Sequence, residues 1–459
     1  MQSISHRPRS AGATQALPAH SPGGAALTAS MPGLSDGTIA APDGPLQPRK
    51  AASAGKPVLR RSLSAPQPLT EAQRRMLAEL GASGDLSPAE AAVLRELRFH
   101  QPPEPLDTLL FTDPNKDPDD VVAYTLGKQL QADGFLSLKE VVVTLGEADV
   151  RSQRAEMAKG IFNHLGLSQV RVSRGQDYHM DAHQAKDHGK FLAEGHALRA
   201  PPGAVHSDGL QAMRERLERA PHKLSMVVIA GMTDAHALLA AYPDLVRERV
   251  EAITIMGGVE PATDDGGLIR PDTRAYNNAT DLDAARGLYR GAQELGIPLR
   301  IVTKEAAYKT AVPPAFYEGI AKSGHPVGQY LKDVQKNALK GLWEGIGAGL
   351  LPGLDTRWFF KTFVGQPQPA AEGGSPDKHG SNTHFDEIWP QVTQLNLYDP
   401  LTILAAVPGA AGMLLAPKAI QAPGRSLVEL VGNDEVKHPK KAKNLMSALA
   451  KSALASGRP

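Results

Sequence analysis

No cysteine occurs among the 459 residues. That removes disulfide staples, thiolate zinc sites and cysteine nucleophiles together, and it suits a protein that works in a reducing compartment. Neither sign of charge dominates. Lys and Arg number 50 against 49 Asp and Glu, a formal net charge of +1, so no surface dedicated to a nucleic-acid polymer is expected. No apolar run reaches the roughly 18 residues of a transmembrane helix, so no membrane partner is expected either. The opening stretch MQSISHRPRS lacks the apolar core of a secretory signal peptide. What is present is ordinary for a folded protein: hydrophobic residues make up 41% and charged residues 22%, on a length suited to one large domain and a tail.

The chain divides by composition. Residues 1–70 hold ten Pro, nine Ser, seven Lys or Arg, two acids and no Phe, Tyr or Trp. Such a segment buries too little apolar surface to offset its ordering entropy, and disorder is expected there. Ser/Pro-rich, acid-poor leaders serve mitochondrial import and bacterial needle-type export alike. Residues 71–104 read as a helical lead-in, with Ser87 as N-cap, Pro88 in the first helical position and Leu94, Leu97 and Phe99 as its apolar pattern.

From residue 105 to 436, short apolar runs alternate with helix-length segments. The runs include 108–111, 141–143, 226–229, 253–256 and 299–302. Unbroken β-branched runs separated by helices predict an α/β domain, an open and mostly parallel sheet with helices on both faces. Residues 365–383 are Gly/Pro-rich and polar, as in an insertion or lid. Residues 437–459 read as a basic helix and tail, solvated and docked at the domain edge.

The most informative segment is LLFTDPNKDPDDVVAYTLG, residues 109–127. Asp113, Asp117, Asp119 and Asp120 follow an apolar strand and precede an apolar helix. Ligands of open parallel sheets bind outside the carboxyl ends of the strands. Four crowded carboxylates repel one another unless a cation neutralises them, and an all-oxygen set suits calcium or magnesium. The competing reading is an acidic helix start, since Asp is favoured near helix N-termini. A twelve-residue EF-hand loop is not matched: it would need Gly at position six and Glu at position twelve.

This segment resembles the D-x-D-P-G-x-D-D signature of the inosine-uridine-type nucleoside hydrolases. Three later stretches follow in that family's order: VVIAGMTDAHALLAAYPDLVRERVEAITIMGG (227–258), RAYNNATDLDAA (274–285) and NLYDPLTILAAV (396–407). A leader joined to such a domain further resembles the nucleoside-hydrolase-like effectors that plant-pathogenic bacteria deliver by type III secretion into the host cytoplasm.

The resemblance implies a calcium ion held by Asp113, Asp120, the backbone carbonyl of Ile229 and Asp399. It implies Asp113 as general base, and Asp119 and Asn277 as ribose contacts. Tyr276 and Tyr398 fall among the substrate-binding positions. Several positions depart from the pattern. Phe111 replaces the first aspartate, and the loop is longer by two residues, so Asp117 is placed to supply a carboxylate in its stead. Glu147 stands for an expected Asn, Ala275 for a Glu, and Tyr398 for the His that protonates purine leaving groups. A phenol with an ordinary pKa of about 10 is a poorer acid near neutrality than imidazole. The inserted Lys116 points to a phosphate-bearing ligand such as a ribotide or an ADP-ribose-like nucleotide.

The expected function is therefore calcium-dependent hydrolysis of the N-glycosidic bond of a ribosylated small molecule. The alternative is a non-catalytic ribosyl-nucleotide-binding effector that sequesters its ligand or scaffolds host proteins. Separately, Arg-Ser-Leu-Ser-Ala-Pro at 61–66 fits the R-S-x-S-x-P motif of 14-3-3 ligands, with Ser64 as the phosphorylated residue.

Overall fold

The apolar runs become the middle of a single eight-stranded sheet. A computed structural model describes residues 85–114, 117–177, 194–351, 354–366, 384–420 and 426–455, so Lys116 and Ser64 lie outside the described residues. The strands are β1 (Leu106–Thr112), β2 (Leu136–Val143), β3 (Arg171–Arg174), β4 (Leu224–Val228), β5 (Val250–Gly257), β6 (Leu299–Thr303), β7 (Lys418–Ala419) and β8 (Val428–Val431). Their order across the sheet is β3-β2-β1-β4-β5-β6-β8-β7, with every neighbouring pair parallel except β7 and β8. The expected α/β architecture is present.

The order has one consequence for function. Successive strands run outward from β1 in one direction through β2 and β3, and from β4 in the other through β5 and β6. The crossover helices therefore diverge at the β1/β4 boundary and leave a crevice at the carboxyl ends of those two strands. Phe111 pairs with Val228 there, so Thr112 and Asp113 leave β1 beside Ile229 leaving β4.

Alternation along each strand divides the core in two. Leu110, Val141, Val143, Val227 and Val302 pack on one face, and Leu109, Phe111, Val142, Met226, Val228 and Ile301 on the other. The first face is covered by α1 (Pro88–Arg98), α2 (Asp119–Ala132), α3 (Ala148–His164) and a set of later helices. The second is covered by α4 (Gly209–Arg219), α5 (Thr233–Ala241), α6 (Pro243–Arg249) and, after the short α7 (Tyr276–Ala279), α8 (Leu282–Glu294). The later helices of the first face are α9 (Lys304–Lys309), α10 (Ala315–Ala321), α11 (Pro326–Gly347), α12 (Thr356–Phe359), α13 (Phe385–Ile388), α14 (Tyr398–Ala406), α15 (Pro408–Leu414) and α16 (Pro439–Ala455). Among the described residues, no helix is long and apolar enough to cross a membrane.

Helix α1 starts as its sequence dictates. Ser87 Oγ accepts from Glu90 N at 3.3 Å, and the Glu90 carboxylate accepts from Ser87 N at 2.7 Å, closing a capping box with Pro88 at the first position. Leu94 and Leu97 are fully buried, while Phe99, read with them as apolar pattern, caps the helix and stays 52% exposed.

The basic helix α16 sits deeper than a solvated edge helix. Leu445, Met446, Leu449 and Leu454 are all buried, and the helix packs along α1 and α2. Its lysines are used in those contacts. Lys451 Nζ meets both oxygens of Glu90 at 2.8 and 2.9 Å, Ser447 Oγ donates to the same carboxylate, and Lys441 reaches Glu96 at 2.9 Å. Lys128 of α2 donates to the Ala453 carbonyl at 2.6 Å. Burial works against the Glu90 charge, yet bonds from Lys451, Ser447 and Ser87 hold its carboxyl below the usual value.

Removing one partner of this pair leaves a buried charge. We expect Lys451→Met to lower unfolding stability by about 2 kcal/mol, and a second change, Glu90→Gln, to restore roughly half of that loss. Urea midpoints of the three proteins check this. Equal midpoints for Lys451→Met and wild type would show that α16 is not anchored through Glu90.

Candidate functional site

Asp113 is followed by Pro114, which favours extended backbone at Asp113 and ends β1 there. Pro118 occupies the N-cap of α2, where its missing N–H goes unneeded, and Asp119 and Asp120 fill the first turn. Both carboxylates are buried, as is Asp113. Far along the chain, Asp399 sits in the first turn of α14, also buried.

The fold brings these segments together. Carboxylate oxygens of Asp117, Asp119, Asp120 and Asp399 all lie within 4.8 Å of one another. Two contacts set the geometry. Asp119 Oδ2 accepts from the backbone N–H groups of Tyr398 and Asp399 at 3.1 and 3.3 Å, so the start of α2 caps the start of α14. Asp120 Oδ1 accepts from the Asp113 N–H at 3.1 Å and from the Thr112 hydroxyl, whose oxygen is 2.6 Å from the Tyr124 hydroxyl. Asp113 thus stands beside the four-carboxylate group, close enough for its charge to bear on Asp120 and Asp399.

The electrostatics are those of a cation site. Burial pushes the Asp119, Asp120 and Asp399 carboxyls well above the ordinary carboxylate range. The neighbouring carboxylates push the same way: Asp117 and Asp120 on Asp119, Asp113 and Asp117 on Asp120, and Asp119, Asp120 and Asp117 on Asp399. A hard divalent ion among these carboxylates would offset the repulsion that raises them. The donor set is entirely oxygen, with Asp119, Asp120 and Asp399 buried in the first turns of two helices and Asp117 half-buried in the loop before them, so it fits calcium.

The other expected residues take the following places. Ile229 is buried at the end of β4, its N–H on the Phe111 carbonyl at 2.9 Å. Asn277 lies in α7, with Nδ2 on the Met256 carbonyl at 3.2 Å. Tyr276 heads the same helix and is 44% exposed. Tyr398 is half-buried, with its ring edge toward Tyr308 at 6.2 Å between centroids. Burial, then Tyr308 and Asp119, push its hydroxyl well above the ordinary phenol value, so it stays protonated and is a reluctant acid. Asn278 holds the loop ahead of α7 by donating to the carbonyls of Gly258 and Asp272 at 3.0 and 2.8 Å.

Two buried groups near the crevice escaped the sequence reading. Arg154 of α3 is fully buried, and its charge couples to Asp113, Asp120, Tyr276 and Asp117. An arginine inside a helix of mixed polar and apolar residues carries no sequence mark of such a position. Asp234, in the first turn of α5, is fully buried and accepts from the Gln176 N–H at 2.6 Å. Burial pushes its carboxyl up to about 6, against the pull of Gln176 N–H and Arg151.

Asp234 makes a prediction with a definite sign. Its folded pKa lies above the unfolded value of about 3.9, so its contribution to stability is full below that value and is lost as pH rises through about 6. Asn keeps the acceptor for Gln176 and cannot ionise. Relative to wild type, Asp234→Asn should gain about 1 kcal/mol of stability between pH 5 and pH 7.5. Denaturant titrations at the two pH values measure the change; a pH-independent difference would contradict it.

Residues 108–352 match the inosine-uridine preferring nucleoside hydrolase family. A crystal structure of the type III effector protein XopQ complexed with adenosine diphosphate ribose is 68% identical, covers 80% of this chain and 100% of its own, and superposes with a TM-score of 0.74. The effector protein XOO4466 is 67% identical over 80% of this chain and 99% of its own, with a TM-score of 0.73. A purine-preferring ribonucleoside hydrolase from Gardnerella vaginalis shares the fold at 16% identity, covering 76% of this chain and 99% of its own, with a TM-score of 0.52. A search of curated proteins finds no match.

Proposed function

Because the chain belongs to the inosine-uridine preferring nucleoside hydrolase family, we propose that it is a calcium-dependent N-ribosyl hydrolase. Its substrate is a ribosylated small molecule: a nucleoside, a ribotide or an ADP-ribose-like nucleotide. One observation carries the reading. Carboxylates of Asp117, Asp119, Asp120 and Asp399, three of them buried, meet in one group at the point where the strand order reverses. The chemistry needs such a place, because the sugar becomes oxocarbenium-like as the C–N bond breaks, and fixed negative charge favours that state.

In this reading Asp113 takes the proton of the attacking water, and the base leaves with the C–N electron pair. Asp113, Asp120, Asp399 and the Ile229 carbonyl would hold the ion, and Asp117 would take the part left by Phe111. Calcium, when bound, supplies the charge that grips the ribose hydroxyls and makes a neighbouring water more acidic. Asp119, fixed by the backbone of α14, orients a ribose hydroxyl together with Asn277. Tyr276, exposed beside them, flanks the ligand, and Tyr398 closes the leaving-group side.

The high proton affinity of Tyr398 favours a second reading, a ribosyl-nucleotide-binding effector with little turnover. Chromatography of base release over nucleosides, nucleotides and ADP-ribose, with and without calcium, separates the two. The first requires calcium-dependent product; binding without product supports the second. ADP-ribose is the natural first ligand, since a 68% identical relative was crystallised with it.

Likeness to two effectors supports delivery by a bacterial type III system into the host cytoplasm. Within the leader, phosphorylated Ser64 is the proposed 14-3-3 ligand. Host 14-3-3 should be recovered with the phosphorylated protein and lost with Ser64→Ala; equal recovery would end the idea.

A further inference from the structure

Between β5 and α7 the chain turns back on itself at residues 259–271. Val259 pairs with Pro271 as an antiparallel bridge, and Glu260 N–H donates to the Arg270 carbonyl at 2.9 Å. Gln293 of α8 fastens this excursion to the helix. Its Oε1 accepts from Ile269 N–H and its Nε2 donates to the Ile269 carbonyl, both at 2.9 Å. Arg286 and Arg290 precede Gln293 at helical spacing, so all three share one side of α8. Between loop and helix lies a cavity of about 440 Å³, within the roughly 300–1,000 Å³ of small-molecule sites. None of the residues lining it belongs to the carboxylate group.

The lining divides by how its groups are used. Leu268, Ile269 and Pro271 supply a buried apolar wall. Its two acids are occupied. Asp264 Oδ1 accepts from the N–H groups of Gly266 and Leu268 at 3.0 and 2.8 Å, and Glu260 accepts from Thr273 N–H at 3.2 Å. The three guanidiniums are held loosely. Among the described residues, Arg270 reaches the Ala262 carbonyl at 3.4 Å, Arg286 reaches Asp283 at 3.3 Å, and Arg290 reaches Asp264 at 3.6 Å. Contacts that long engage few of the N–H donors a guanidinium carries. The side chains of Arg286 and Arg290 are 59% and 63% exposed, so a ligand meets them without opening the fold.

We propose that this cavity is a second ligand site, apart from the aspartates, and that it takes a small organic phosphate. Guanidiniums recognise phosphate oxygens through paired N–H donors. Three of them on one cavity of this size suit a single multiply charged group, whereas the spaced carboxylates of an acidic peptide call for a longer groove. The body of the ligand rests on Leu268, Ile269 and Pro271.

Ligand-observed magnetic resonance on the full chain tests the site, with phenyl phosphate as the probe. Phenol, inorganic phosphate and a peptide of six alternating Glu and Leu residues serve for comparison. Phenol lacks the anion and inorganic phosphate lacks the apolar body, so each should bind at least about tenfold more weakly than phenyl phosphate. Arg286→Gln and Arg290→Gln together should weaken phenyl phosphate by about thirtyfold. The corresponding pair of Lys changes keeps the charge but loses the planar fork, and should weaken it by about fivefold. Asp113→Ala, at a separate site, should leave its affinity within about twofold. Unchanged binding by the double Gln variant, or a preference for the peptide, overturns the proposal. So does inorganic phosphate bound as tightly as phenyl phosphate, or binding lost with Asp113→Ala. These outcomes leave the ribosyl reading of the aspartates standing.

Discussion

Asp113→Ala should lower base release from a ribosyl substrate by three to four orders of magnitude, roughly the contribution of a positioned general base. The size of the effect follows from where Asp113 sits. It lies at the carboxyl end of β1, its backbone tied to Asp120, and stands beside the four-carboxylate group without belonging to it. Loss of its side chain removes the proton acceptor together with one proposed calcium ligand, and leaves Asp117, Asp120 and Asp399 for the ion. The expected split is a large fall in kcat with a smaller change in the calcium concentration needed for half-maximal activity. Asp113→Asn should be nearly as inactive as Asp113→Ala, since amide and methyl alike cannot take the proton. Product formed equally by wild type and both variants would rule out catalysis at this site and leave the binding reading.

Calcium removal should have the other large effect, on stability, with a pH dependence of known sign. The Asp119, Asp120 and Asp399 carboxyls are raised in the metal-free fold, first by burial and then by one another. The metal-free fold therefore holds more protons than the unfolded chain. Their contribution to stability is full below the ordinary carboxylate pKa of about 4 and is lost as pH rises through the raised values. Calcium reverses that loss, because it binds the deprotonated groups. At a thousandfold excess over its dissociation constant it should add about 4 kcal/mol, read as a melting temperature several degrees higher. The increment should be larger at pH 8 than at pH 5.5, where protons compete. Asp399→Asn should raise the metal-free melting temperature at pH 8 and shrink the calcium increment. A chelator without effect on melting at either pH would show that no ion binds among these residues.

How much of this was legible depends on the physical character of each signal. The strands that carry the site are buried on both faces, so β1, β2, β4, β5 and β6 left unbroken apolar runs. The edge strands did not. β3 reads Arg-Val-Ser-Arg, β7 is two exposed residues, and β8 carries Glu429 for Arg300. The acids of 113–120 were conspicuous because so many carboxylates in one loop demand a cause. Asp399 is a lone acid in an apolar helix start, and only its resemblance to the family marked it. The joining of Asp117 to the group was foreseen as a replacement for the residue lost at Phe111. Arg154 and Asp234 were not found at all. Their burial is set by how α3 and α5 meet the ends of β2 and β4, which no local pattern encodes.

The packing of α16 against α2 also orders events in time. Lys128 and the carbonyl of Ala453 that it holds are 325 positions apart. At about 5–20 residues per second, a ribosome finishes the earlier helix tens of seconds before the later one emerges. Throughout that interval the apolar flank of α2 stays open to chaperones, and Asp399 has not arrived for most of it. The group of acids at residues 117–120 therefore stays incomplete on a nascent chain until residue 399 has been made.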